Sequence, residues 1–293
     1  MSEKEIIPEL VRKRRSPFVD VMMRLAKSPL AMFGLAIIFV LVFCAIFAEL
    51  ISPYSPIKQD LMHMFETPSA EHWLGTDEFG RDILSRLIYG ARVSLQVGFI
   101  AVGIALVTGG MLGAVSGYYS GKLDNIIMRV MDVLLSIPQT LLAIAIVAAL
   151  GPSLMNLMIA VGISAVPTYA RIVRGSVLSI RSMEFIEAAR AAGSSDLRII
   201  LKHIIPTSMA PIIVQSTLGV ASAILNAAGL SFIGLGIQPP NPEWGAMLSG
   251  ARNYIRDYPH VVIFPGLAIM ITVFALSVFG DGIRDASDPK LKD

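Results

Sequence analysis

Three long stretches of this 293-residue chain contain no formally charged side chain. Asp, Glu, Lys and Arg are absent from residues 133–170, 203–242 and 258–280. A charge at the centre of a membrane-spanning helix costs about 2.5–3.5 kcal/mol, whereas a soluble domain has no physical reason to exclude charge over such lengths. Charged residues make up 16% of the whole chain, against about 25% in soluble domains. We therefore expect an integral membrane protein.

The apolar runs predict the number of spans. A helix needs about 20 mainly apolar residues to cross the hydrocarbon core of a bilayer, and six runs reach that length. The fold class expected is an all-α membrane protein with six transmembrane helices. The runs cover residues 30–50, 93–118, 130–150, 153–173, 209–236 and 259–280.

The distribution of Lys and Arg predicts the orientation. Positive residues are retained on the cytoplasmic side, and with the N-terminus inside, 18 of the 24 Lys and Arg residues lie in cytoplasmic segments. We expect a multi-pass protein of the cytoplasmic membrane with both termini inside. The resulting division is a cytoplasmic segment 1–29, a first span 30–50, an external loop 51–92, a five-helix core 93–280 and a cytoplasmic tail 281–293. The core contains a cytoplasmic loop 174–208 and an external loop 237–258.

The cytoplasmic loop has the pattern of two helices joined by a sharp turn. Residues 183–192 are rich in Ala, Glu and Arg, and Gly193 can adopt the left-handed conformation that ends a helix. The oxygens of residues 194–196 are suited to cap a second helix that extends to about His203, and Pro206 bends the chain before the next span. Such a loop either binds another protein through its small residues or lies on the membrane surface.

The same loop resembles a known family. Glu187, Ala188, Ala189, Gly193 and Pro206 stand at the spacing of the loop motif of permease subunits in binding-protein-dependent ABC importers of type I. The chain departs from the motif at His203 and Ile205, where Ile and Leu are usual. The resemblance implies that this loop, Arg190 included, is a coupling loop that docks in a cleft of a separate ATPase. It also implies two ATPase domains that use ATP and Mg²⁺, a homologous second permease subunit and an extracytoplasmic substrate-binding protein.

Three further segments narrow the resemblance. Residues 75–95, 234–245 and 280–289 look like the C-type permease of the dipeptide, oligopeptide and nickel branch. Short peptides are the cargo that this branch implies, and nickel chelates or glutathione-like solutes remain as alternatives.

Two of these segments, 75–95 and 234–245, overlap the external loops. The pairs Asp77/Arg81 and Asp82/Arg86 are spaced i, i+4, which predicts an amphipathic helix from residue 77 to residue 92 on the outer membrane surface. Together with external loop 237–258 it would form an outer vestibule that receives the binding protein. The candidate contacts there are Arg81, Glu243 and Trp244.

Neutral polar residues inside the spans have two interpretations. Asn156, Gln215 and Asn226 either form hydrogen bonds between helices or line the translocation path. Both interpretations remain open at the level of sequence.

Other classes of function find less support. Residues 117–122 resemble a phosphate-binding loop, but only three residues separate the two glycines and Leu123 replaces the required Ser or Thr. The four histidines lie in loops or at span ends, so we expect neither a catalytic site, a metal site nor a bound cofactor, and no nucleic-acid partner. An ion-coupled secondary transporter and a passive channel are the alternatives, and the charge-free spans disfavour the first.

Overall fold

The computed structural model describes residues 17–287, so the first sixteen residues of segment 1–29 and the last six of tail 281–293 lie outside it. Regular structure in the described part is helical apart from one isolated bridge between Thr76 and Asp82. The α-helices, in chain order, are α1 (Pro17–Leu25), α2 (Pro29–Ile46), α3 (Ala48–Ile51), α4 (Ile83–Tyr119), α5 (Gly121–Leu135), α6 (Gln139–Leu150), α7 (Leu154–Ile180), α8 (Glu184–Ala191), α9 (Asp196–Ile199), α10 (Ile205–Thr207), α11 (Met209–Phe232), α12 (Trp244–Ala251) and α13 (His260–Ser287).

The membrane-spanning elements confirm the all-helical class. In the described residues, five helices are long and apolar enough to cross a bilayer by themselves, namely α2, α4, α7, α11 and α13. The pair α5 and α6 passes the same test only when taken together and is bent by 89° at the intervening break, as in a broken span or a re-entrant loop. The run 130–150 is therefore not one straight span. Pro138 lacks an N–H donor and disfavours helical geometry at the residue before it, which explains the break.

Helix α4 begins ten residues before the expected span and replaces the predicted surface helix. Asp82 is its N-cap, and the Asp82 carboxylate accepts the backbone N–H of Ser85 at 2.7 Å. Residues 77–82 form a loop, in which Gly80 has a φ of 68°. The predicted amphipathic helix over residues 77–92 is thus wrong. Its first six positions lie in a turn that Asp77 holds through the backbone N–H groups of Phe79 and Arg81, and the rest belong to a 37-residue helix that continues into the membrane.

Glycines bring α4 and α7 into direct backbone contact at the centre of the bundle. A Cβ atom on Gly109 would lie 2.5 Å from the carbonyl oxygen of Val166, and one on Gly113 would lie 2.3 Å from that of Ala170. Either side chain would force the helices apart. The α4–α7 pair is consequently the most extensive helix contact in the described bundle, whereas α13 packs mainly on α2 and α11.

Candidate functional sites

The first half of loop 174–208 is built as the sequence predicts. Helix α8 ends in a Schellman turn, because Ser194 donates its N–H to the Ala189 carbonyl at 3.1 Å and Gly193 donates to the Arg190 carbonyl at 3.0 Å. The φ of Gly193 is 79°, which confirms the expected left-handed turn. Helix, turn and helix follow one another, as the sequence indicates.

The second half of the loop is less regular than expected. Ser195 occupies the N-cap of α9 without a side-chain capping bond. A π-helical turn at Ile200–Ile204 follows α9, and Pro206 then lies in the single turn of α10 before α11 starts. The backbone thus stays helical on both sides of the proline, and the expected capping by residues 194–196 does not form at Ser195.

One side of the loop is anchored in a hydrophobic cluster. Ile186, Ile199 and Ile204 are fully buried, against Val177 and Ile180 at the end of α7. The opposite side is exposed and presents Glu187, Ala188 and Gly193, while Ala189 is half-buried. A buried base under an exposed face of small residues forms a shaped surface that another protein can approach closely.

Arginines also attach the loop end of the bundle to the junction of α4 and α5. Asp124 accepts two hydrogen bonds from Arg174, at 2.6 and 2.7 Å. Arg181 donates to the carbonyl oxygen of Gly117 at 3.2 Å, and Arg190 approaches the hydroxyl of Tyr118 at 3.4 Å. In the sequence, residues 117–122 resemble only an incomplete phosphate-binding loop. The unusual density of small residues there, followed by an acid, was the available signal for a tight junction.

The membrane-embedded polar residues separate into different roles. Gln215 lines a cavity of about 220 Å³ between α4, α6, α7 and α11, together with Gln139, Thr168 and Tyr169. Gln215 also lines a larger groove, of about 730 Å³, that opens towards the loop end. It therefore stands where the two spaces meet.

The other two candidates do not line these spaces. The amide of Asn156 donates to the carbonyl oxygens of Leu150 and Gly151, each at 2.9 Å, and so caps the turn between α6 and α7. Its placement favours the structural interpretation. Asn226 is half-buried, and it lies on the same face of α11 as Gln215 because eleven residues are about three helical turns. The arrangement brings Gln215 and Asn226 onto one face and leaves Asn156 apart.

At the opposite end of the bundle, the three candidate contacts for a binding protein are buried. The exposed fractions of Arg81, Glu243 and Trp244 are 4%, 2% and 1%. Their burial disfavours direct contact of these three side chains with a partner, and the contact stays a prediction. The two charged side chains point inward because they are hydrogen-bonded there, and the indole points inward because it packs between helices.

A buried ion cluster explains the position of Arg81. Its Nε donates to the Asp77 carboxylate at 2.7 Å, and its Nη2 donates to Glu78 at 3.3 Å. Arg86 also approaches Asp77, with its Nε at 3.2 Å, whereas the sequence predicted a pair with Asp82. Asp82 instead accepts from Ser85 and meets His72 at 2.9 Å. Burial raises the pKa of Glu78, and the adjacent Asp77 raises it further.

Glu243 and Trp244 hold α12 in place. The Glu243 carboxylate accepts the backbone N–H groups of Gly245 and Ala246 at 2.9 and 2.8 Å, as an N-cap does. Burial raises the pKa of Glu243, although these two donors oppose the shift. The Trp244 indole donates to the Leu87 carbonyl at 3.1 Å. The residues thus join α12 to the start of α4.

Two known protein families match this chain over most of its length. The family model described as "Binding-protein-dependent transport system inner membrane component" matches residues 109–293, which include the whole of loop 174–208. The chain belongs to this family. A second model, "N-terminal TM domain of oligopeptide transport permease C", matches residues 16–68 of the permease.

Curated relatives cover nearly the whole permease. The dipeptide transport system permease protein DppC of Alkalihalophilus pseudofirmus is 52% identical over 94% of this chain and 91% of its own length. The di/tripeptide transport system permease protein DppC of Pseudomonas aeruginosa is 46% identical over 95% and 94%. The glutathione transport system permease protein GsiD of Escherichia coli is 46% identical over 95% and 92%.

Solved structures show the same fold. The MetNI methionine ABC transporter in an inward-facing conformation matches with a TM-score of 0.57 and 21% identity, over 69% of this chain and 96% of the matched chain. The permease is therefore a multi-pass inner-membrane subunit of an ABC transporter, in a family of transport subunits and not of enzymes. Its membership implies an ATPase and a substrate-binding protein as partners in general.

Proposed function

We propose that this permease forms half of the translocation path of an ATP-driven importer for short peptides. In this proposal a homologous second permease forms the other half, and each permease presents one coupling loop to one of two ATPase domains. ATP and Mg²⁺ act in those domains, while an extracytoplasmic binding protein delivers the cargo. The observation that carries the proposal is the coupling loop, whose exposed face rests on a buried isoleucine base.

The chemistry of the loop supports an ATPase as the partner. Phe185, Leu197 and Leu201 are exposed apolar side chains next to the small residues of α8. Exposed Glu187 adds a charge at the edge of this surface. An apolar centre with a polar rim is the usual composition of protein interfaces.

The membrane cavity supports a cargo of variable charge. Among its lining residues in the described chain the polar side chains are neutral, and they include Gln139, Thr168, Gln215 and Ser222. Amides and hydroxyls can donate to and accept from a peptide backbone without selecting one net charge. The names of the relatives, which concern dipeptides, tripeptides and glutathione, point to the same class of cargo.

Uptake by the reconstituted assembly tests the proposal. The permease is purified with its sister subunit, ATPases and binding protein, placed in liposomes and supplied with labelled dialanine. We expect accumulation that requires ATP hydrolysis and is reduced by excess unlabelled di- and tripeptides. Uptake that continues without ATP would instead indicate a passive channel, and competition by a nickel chelate alone would assign a different cargo.

The proposed orientation, with both termini and the coupling loop cytoplasmic, has its own test. Cys44 is the single cysteine of the chain and can be replaced by alanine. A new cysteine at Ser69 in the external loop should then react with a membrane-impermeant maleimide on intact spheroplasts, and one at Ser195 should react only after lysis. The reverse pattern would overturn the topology.

A further inference from the structure

The junction of α4 and α5 is the place where the coupling loop meets the rest of the permease. Ser120 and Gly121 have φ values of 54° and 65°, so the chain turns sharply between the two helices. Arg181 of the segment after α7 donates to the hydroxyl of Ser120, and Arg174 holds Asp124. The junction is thus fastened to the same helix that leads into the coupling loop.

Tyr118, the penultimate residue of α4, contacts both halves of that loop. It is 7% exposed and its hydroxyl donates to the Asp196 carboxylate, at the start of α9, at 2.6 Å. The guanidinium of Arg190, in the last turn of α8, lies 5.6 Å from the centre of the Tyr118 ring and approaches its hydroxyl at 3.4 Å. One phenol therefore joins α4, α8 and α9.

We propose that Tyr118 is the positioning residue that passes displacement of the coupling loop to α4. The proposal rests on the proposed function, since it assumes that an ATPase moves the loop. The surrounding contacts of Ile186 and Ile199 are apolar and non-directional, so they hold the loop against the bundle without fixing its direction relative to α4. A hydrogen bond to a carboxylate fixes both distance and direction.

Helix α4 is suited to carry such a displacement across the membrane. Its 37 residues contain no proline and extend over about 55 Å at about 1.5 Å per residue. Ala101 and Val102, in its middle, line the membrane cavity beside Gln215. Its other end is capped by Asp82 next to the buried ion cluster. A movement at Tyr118 therefore acts on the wall of the cavity and on the opposite end of the bundle.

The decisive measurement is the number of peptides transported per ATP hydrolysed by the complete reconstituted assembly. Tyr118→Phe removes only the hydroxyl group and keeps the ring in the cluster. We expect assembly and basal ATP hydrolysis to persist, while the transport ratio falls about tenfold, as for loss of a hydrogen bond to a charged group. Tyr54→Phe is the matched control, because it removes a phenol that donates to the Glu71 carbonyl in the external loop.

A double-mutant cycle separates a specific contact from general loosening. If Tyr118 acts through Asp196, then Tyr118→Phe, Asp196→Ala and the pair should each lower the ratio by the same factor. Independent losses that multiply in the pair, or a ratio that is unchanged in Tyr118→Phe, would overturn the assignment. Failure of the wild-type assembly to show ATP-dependent uptake would count against the proposed function instead. The two failures are thus distinguishable.

Discussion

The coupling loop and the buried ion cluster are both rich in motif residues, yet these residues are exposed in the loop and buried in the cluster. Glu187 and Ala188 face outward from the loop, whereas Arg81, Glu243 and Trp244 are folded inside the opposite end. The difference lies in how each charge is satisfied. Glu187 is solvated, while Arg81 has two carboxylate partners within the chain.

This contrast separates two reasons for a motif to exist. A buried charge is costly unless it is paired, so residues of the ion cluster are needed for folding of the external segment. An exposed charge contributes little to stability, so residues of the coupling loop are available for a partner. The comparison predicts large effects on unfolding at one end and nearly none at the other.

The largest expected effect concerns the two tryptophans, which form a natural pair. Trp244→Ala removes a fully buried indole between α12 and α4 and should lower the free energy of unfolding by about 3–5 kcal/mol. Trp73 is 71% exposed, and Trp73→Ala should change it by less than about 0.5 kcal/mol. Denaturant unfolding in detergent micelles, followed by circular dichroism, measures both. Equal effects would remove the contrast.

Asp77 tests the ion cluster itself. Asp77→Asn leaves Arg81 and Arg86 buried without their shared carboxylate, which should cost about 3 kcal/mol in the same unfolding experiment. The control is Glu49→Gln, which breaks the ion pair with Arg92. The Glu49 side chain is 75% exposed, and loss of that pair should cost less than about 1 kcal/mol. If Glu49→Gln lowered the free energy of unfolding as much as Asp77→Asn, the result would contradict the burial argument.

The coupling loop should show the reverse behaviour. Glu187→Lys is expected to alter the free energy of unfolding by less than about 0.5 kcal/mol, because the side chain is exposed. The same substitution should abolish copurification of the ATPase and ATP-dependent uptake. Glu71→Lys makes the identical change of charge in the external loop and serves as the control. A destabilised Glu187→Lys protein would mean that the loop charge has a role in folding.

The smallest effect is a dependence of stability on pH. Burial raises the pKa values of Glu78 and Glu243 above the ordinary 4.5, so the folded permease binds these protons more tightly than the unfolded chain. Their contribution to stability is complete below the ordinary value and is lost as pH rises through the raised values. Glu78→Gln should therefore flatten the fall in melting temperature as pH rises above the ordinary pKa of 4.5. Glu71→Gln should leave the slope unchanged, and an unaltered slope in Glu78→Gln would contradict the assignment.

Several features of the permease follow from local rules and were predictable. Charge-free and mainly apolar stretches of about 20 residues or more are typical of membrane spans, and the helix-stopping Gly193 required only its own backbone freedom. Both features depend on one residue or one segment at a time. They needed no information about what lies next to it in space.

What the sequence determined is therefore the helical membrane class and the helix, turn and helix of the loop around Gly193, because segment hydropathy and glycine geometry are properties of the local chain. Tertiary structure alone decided that Arg81, Glu243 and Trp244 point inward, that Asp77 pairs with Arg86, and that Tyr118 meets Asp196 across 78 positions of sequence. Spacing of i, i+4 is equally compatible with a surface helix and with a buried turn. Which of the two structures forms depends on the free energy of desolvating each charged side chain. That free energy depends on which distant segments cover the side chain.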